Sequence, residues 1–293
     1  MFQALRVLID KNKSYQSYLI LGSASRDLIQ QSSETLAGRI SYLGLTPLRA
    51  DEISDITLLW HRGGFPRSYL AQTELESYMW RESYIRTFLE QDIPSLGFKI
   101  ASNQLRRFWL MLTHYHGQIF KASELGRSLD TSHNTIKNYL DILVGTFMIR
   151  ILPPWYDNLK KRQVKSPKIY FRDSGIYHAL NKIKDEQSLL LYPKLGASWE
   201  GFALEMVIQR HTNIDENDCY FWATQAGAEL DLLIVDGNKR LGFEFKYTDT
   251  PKITKSMRVA LADLQLNSLS IISPGKHNVN LGENIKAIGL EAF

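Results

Sequence analysis

The sequence predicts a mixed α/β protein of several domains. Three observations carry this. The 293 residues are 44% hydrophobic, enough to fill more than one core. A helix-turn-helix pattern followed by two β runs occupies the middle of the chain. A charged β-hairpin behind a long helix occupies its last third.

Composition narrows the class further. No apolar run reaches the length of about eighteen residues that a membrane span needs, and Met1 to Arg6 lacks the layout of a secretory leader. A cytoplasmic protein with no membrane partner is therefore expected. The single cysteine, Cys219, excludes an internal disulfide, and the scattered His residues give no zinc spacing. The formal charge of +4 is a mild excess, so the placement of the basic residues matters more than their sum.

Four segments follow one another, at 1–55, 56–100, 101–185 and 186–293. In the first, "YLILG" at 18–22 is a short apolar run closed by Gly, as in a buried strand of an α/β sheet. In the second, Leu70, Leu75, Tyr78, Met79, Ile85, Phe88 and Leu89 recur at mostly three- and four-residue steps, which predicts a helical connector.

The third segment scans as a winged helix-turn-helix. Ala122 to Ser128 makes a short first helix, Leu129 to Thr131 turns, and Ser132 caps a second helix with Ile136, Tyr139, Leu140 and Leu143 on one face. His133, Asn134, Lys137, Asn138 and Asp141 then point outward, where a recognition helix meets a major groove. Two β runs follow as a wing. Arg150, Lys160, Lys161, Arg162, Lys165, Lys168 and Arg172 outnumber the one acid there, Asp157, a distribution that suits phosphate contact. DNA is the expected partner, although winged helices also dock proteins.

In the fourth segment, "GAELDLLIVDGNKRLGFEFKYTD" reads as a hairpin turning at Asp236-Gly237-Asn238-Lys239, with either Gly237-Asn238 or all four residues as the loop. Counted back from that turn, Asp231 faces Glu244 and Glu229 faces Lys246, on one surface with Cβ atoms about 5 Å apart. Leu230, Leu232, Ile234, Phe243 and Phe245 make the other surface apolar. Facing carboxylates repel, and a cation such as Mg²⁺ between them is the simplest remedy. Lys246 would aim its ammonium at the same place, able to stabilise charge on a phosphate. A third carboxylate can come from the helix in "GASWEGFALEMVIQR". Glu200 and Glu205 lie about 140° apart around that helix, so only one can be a ligand, and Glu200 is favoured. The plainer alternative is a surface hairpin with a Glu229–Lys246 ion pair of little consequence.

These residues carry a resemblance. Asp231, then Glu244-Phe245-Lys246, with Glu200 on a preceding helix, resembles the restriction-endonuclease-like PD-(D/E)XK nucleases. "GSASRDLIQQSSETLAGRISYLGLTPL", "RGGFP", "NYLDILVGTFMIRILPPWYDNLKKRQVKSPKIYFRDSGI" and "GASWEGFALE" together are similar to AAA-type ATPases with a C-terminal domain of unknown function. The resemblance implies a remnant of an ATPase core at 1–55, a connector, a winged helix and a nuclease-like domain. Asp231, Glu244 and Lys246 would be catalytic there, and Glu200, Asp231 and Glu244 would hold Mg²⁺. It also implies nucleotide-sensing places for Ser23 and Arg39.

The chain departs from those ATPases in having no G-x-x-x-x-G-K-[ST] loop, without which β and γ phosphates have no cradle. No ATP binding or hydrolysis is expected. The chain looks like the C-terminal part of such an ATPase, whose half-sheet edge a second copy or another protein would cover. Two functions follow: a DNA-binding protein with a nuclease-like, Mg²⁺-dependent C-terminal domain, or a non-catalytic regulator on the same scaffold.

Overall fold

A computed structural model describes residues 2–11, 17–20, 36–41, 44–156, 164–211 and 216–293. Ser23, Lys160, Lys161 and Arg162 lie outside these. In the first segment α1 (Phe2–Lys11) ends near Arg39, whose guanidinium pairs with Asp10 at 2.7 Å. Arg39 is thus engaged with a surface carboxylate of its own chain. Of "YLILG", residues 18–20 lie in no helix or strand, and the remainder falls outside the described residues.

The connector is helical, with two longer helices and short helical turns. Asp55 caps α2 (Ile56–Arg62), and a Thr73–Glu76 capping box starts α3 (Glu74–Thr87). Tyr78, Ile85, Phe88 and Leu89 are buried as their spacing requires, but Leu70, Leu75 and Met79 are exposed. The apolar stripe is wider than the face α3 buries.

Next come α4 (Ser102–Leu112), β1 (Gln118–Ile119), α5 (Ala122–Ser128), α6 (His133–Gly145), β2 (Ile149–Leu152) and β3 (Lys168–Phe171). The strands form one antiparallel sheet in the order β1-β3-β2. Ser132 caps α6 by accepting the Thr135 amide. Phe108, Trp109, Leu112, Leu125, Ile136 and Leu143 close the core beneath α5 and α6. Helix α7 (Ser174–Leu180), capped by Asp173, leads out of this unit.

The last unit begins with α8 (Leu195–Arg210), followed by β4 (Cys219–Ala223), β5 (Glu229–Asp236), β6 (Lys239–Phe245), α9 (Lys255–Asp263), β7 (Ser268–Ser273), β8 (Asn278–Gly282) and β9 (Ile285–Gly289). Its six-stranded sheet runs β4-β5-β6-β7-β9-β8. β4, β5 and β6 are antiparallel, and the α9 crossover makes β6 and β7 parallel. Helix α8, joined by Trp60 of α2, covers one face, and α9 covers the other.

Cys219 is buried on β4, where burial pushes its thiol up to about 12. Among the described residues no helix is long and apolar enough to cross a membrane.

Candidate functional site

The hairpin turns at Gly237-Asn238, with Asp236 opposite Lys239 and Gly237 at φ 57°, a conformation that glycine adopts without strain. The pairing runs back to Leu232–Phe243 and stops there. Beyond it Asp231 does not sit in a simple cross-strand pair: its carboxylate accepts the Phe245 amide at 3.0 Å. The β4–β5 register shifts between Tyr220 and Trp222, and such an irregularity breaks the alternation of faces. Leu232, Ile234, Phe243 and Phe245 pack under α8, whereas Leu230 turns with Leu233 toward α9. The expected single apolar surface is therefore two, and both faces of the sheet are packed.

Glu200 and Glu205 diverge around α8. Glu200 lies close enough to Asp231 for that charge to act on it, while Glu205 turns to Arg150 on β2. The Lys246 ammonium bridges Glu244 at 2.9 Å and Asp231 at 3.4 Å. Both carboxylates are 5% exposed, but the lysine side chain is 42% exposed. The cluster thus presents an ammonium to solvent with its carboxylates behind it.

Glu229 does not pair with Lys246 as the register suggested. It pairs with Lys168 of β3, whose ammonium also lies 3.6 Å from Glu200. Tyr170, two residues along the same strand, donates its hydroxyl to Glu200 at 2.7 Å. Lys168 is 4% exposed, so its expected place on a phosphate-contacting wing is corrected: the strand turns it inward, to carboxylates. Period-two alternation was the available signal, since Lys168 and Tyr170 share one face of "KIYF".

Burial, reinforced by the Asp231 charge, pushes the Glu244 carboxyl up to about 8 and that of Glu200 up to about 7. Burial works against the ammoniums of Lys246 and Lys168, but the surrounding carboxylates outweigh it and raise both. The Glu200, Asp231 and Glu244 carboxylates act on one another's charge and supply hard oxygen donors of the kind Mg²⁺ takes. As placed, they are held by two lysines and a tyrosine. Among the described residues no three His, Cys, Asp or Glu side chains gather as a ligand set. The donor chemistry suits a divalent ion, and the side-chain arrangement is one closed by ammonium.

On α6, His133, Asn134, Lys137, Asn138 and Asp141 are exposed, opposite buried Ile136, Tyr139, Leu140 and Leu143. The wing is less free than its composition suggested. Arg150 is buried against Glu205 and reaches Glu216 at 3.0 Å, and Arg172 reaches Glu216 at 2.8 Å. Trp155 and Val164 lie along β4, donating their backbone amides to Phe221 and Ala223. Those contacts cover an edge of the six-stranded sheet. Of the wing's basic residues that are described, Lys165 remains exposed.

Fold and site together define a mixed α/β protein in which a helical unit with a small sheet supplies two side chains to an acidic cluster of a second, six-stranded unit. Residues 53–187 match the family model of a domain of unknown function (DUF8612), and residues 195–293 match that of a second domain of unknown function (DUF4143). The chain is similar to the uncharacterized proteins Rv2008c of Mycobacterium tuberculosis and Mb2031c of Mycobacterium bovis. It is 47% identical to each over 290 residues, covering 98% of this chain and 65% of each relative. It therefore spans less than two thirds of the length of these relatives. No solved structure matches.

Proposed function

We propose that the protein binds duplex DNA through α6 and carries a nuclease-like domain at its C-terminal end. The observation that carries DNA binding is the polar face of α6. His133, Asn134, Lys137 and Asn138 are exposed on a capped helix that follows a short helix and a turn. The order α4-β1-α5-α6-β2-β3, with its sheet in the order β1-β3-β2, supports a winged-helix assignment. Anisotropy titration of a labelled duplex tests it. Binding that weakens with salt in the parent and falls in Asn134→Ala/Lys137→Ala supports the assignment, and a parent that does not bind at low salt refutes it.

The nuclease-like assignment rests on Asp231, Glu244 and Lys246 at the end of the β5–β6 hairpin with Glu200 beside them, under a helix that precedes the strands. Lys246 is the group here able to meet a phosphate, since it alone of the four is substantially exposed. Glu200, Asp231 and Glu244 would hold Mg²⁺. When bound, the ion would polarise a phosphodiester and acidify a water. The bridging by Lys246 and the absence of a gathered ligand set among the described residues favour the second function, a non-catalytic binding protein on the same scaffold. Melting the parent and Asp231→Asn with and without Mg²⁺ or Mn²⁺, alongside a plasmid-nicking assay, separates them. Stabilisation and nicking that both vanish in Asp231→Asn support the nuclease. Neither effect in the parent leaves the binding protein.

A further inference from the structure

Four carboxylates, Glu200, Glu229, Asp231 and Glu244, surround two ammoniums, and the two come from different parts of the fold. Lys246 belongs to the hairpin. Lys168 belongs to β3 of the helical unit, is 4% exposed, and joins a carboxylate of α8 to one of β5.

The approach that brings Lys168 in is tight. A Cβ on Gly201 of α8 would fall 2.2 Å from the His116 ring, and that ring accepts the Phe171 amide of β3 at 3.0 Å. Glycine at 201 therefore lets α8 lie directly against the segment that carries Lys168 and Tyr170. A lysine stem desolvated to this degree costs free energy unless its ammonium is compensated by charge. Here Glu200 and Glu229 supply that compensation, and Tyr170 fixes Glu200 by its hydroxyl.

We propose that Lys168 is a positioning residue of the acidic site: supplied by the helical unit, it acts as a built-in counter-cation for Glu200 and Glu229 and limits how strongly the site takes up a divalent ion. The proposal rests on the assignment of Glu200, Asp231 and Glu244 as the oxygen donors. Opposite charges a few ångströms apart attract far more strongly in a desolvated cluster than in water. Removing this ammonium therefore leaves the carboxylates with unmet negative charge that a divalent ion would meet.

The test is calorimetric titration of the full chain with MnCl₂ and MgCl₂. Lys168→Met is expected to bind at least about tenfold more tightly than the parent, while Lys168→Arg, which keeps the charge, stays near the parent. A purely packing role would leave the affinity unchanged. Glu229→Gln provides a second variant at a half-exposed position, with Glu200 remaining as a partner for Lys168 and a melting curve checking that it stays folded. It releases Lys168 toward Glu200, and divalent binding should weaken. Parent binding with no change in Lys168→Met or Glu229→Gln overturns the proposal and leaves the donor assignment standing. Binding by Lys168→Met but not by the parent upholds the proposal and corrects the nuclease assignment. No binding by any variant overturns both.

Discussion

The carboxylate of Asp231 accepts the Phe245 amide at 3.0 Å, just beyond the Leu232–Phe243 pair where the β5–β6 ladder ends. A side chain there takes over a bond that the neighbouring strand would otherwise supply, while the same oxygen lies 3.4 Å from the Lys246 ammonium. Position 231 therefore combines an acceptor for the backbone with a charge for the cluster, and the two roles can be separated.

Asp231→Asn keeps an acceptor for Phe245 and removes a charge from beside two other buried carboxylates. Its melting temperature without metal should equal or exceed that of the parent. Asp231→Ala leaves a buried amide unpaired and should cost about 1–3 kcal/mol. Urea melts of the three proteins give the comparison, and an equal loss in Asn and Ala would show that the backbone bond contributes little.

Stability should also depend on pH in a direction set by Glu200 and Glu244. Their carboxyls, raised to about 7 and about 8, bind a proton more tightly in the folded protein than in the unfolded chain, where glutamate titrates near about 4.3. Their contribution is present in full below about pH 4 and is lost as pH rises through about 7 to 8. Without divalent ions the melting temperature should fall between about pH 4 and pH 8 and level off above that, and Glu244→Gln should flatten the fall. A parent with an unchanged melting temperature over this range would contradict the burial of these groups.

How far the sequence could be read depended on how local each signal was. The Ser132 cap, the two helices around it, the turn at Asp236 to Lys239 and the divergence of Glu200 from Glu205 are all set within a few residues. Three of the wing's basic residues were not placed by the sequence, because charge along the chain does not say what lies opposite. Arg150, Arg172 and Lys168 are met by Glu205, Glu216, Glu200 and Glu229 from another unit. The shift in β5 that turns Leu230 away from Leu232 was equally hidden, because strict alternation assumes an unbroken ladder.

DNA binding should carry a salt signature that reports which basic residues touch phosphate. Each lost phosphate contact flattens the slope of log K against log salt by about 0.9. Lys137 and Lys165 are exposed, so single alanine substitutions there should show that step if they contact the backbone. Removing Lys160, Lys161 and Arg162 together should flatten the slope by about 0.9 per contact they make. Anisotropy at several salt concentrations measures this, and slopes unchanged in all of these variants would remove both α6 and the wing from the interface.

The last expectation concerns the clamp between the units. Glu205 is 1% exposed and is held by Arg150, itself 5% exposed, with the Arg172 Nε 3.6 Å away and Glu216 completing the group. Arg150→Met strands a buried carboxylate with a more distant partner, a change that costs about 3 kcal/mol, the lower end of the range for breaking a buried pair. The single Glu205→Met should also destabilise, by leaving Arg150 with the half-exposed Glu216 as its remaining partner. The double variant Arg150→Met/Glu205→Met removes both desolvated charges and fills the space with apolar atoms of similar length, so it should recover much of that loss. Denaturant melts of the parent, both singles and the double give the coupling energy. A double variant whose loss equals the sum of the singles would mean that the two residues do not act as a pair.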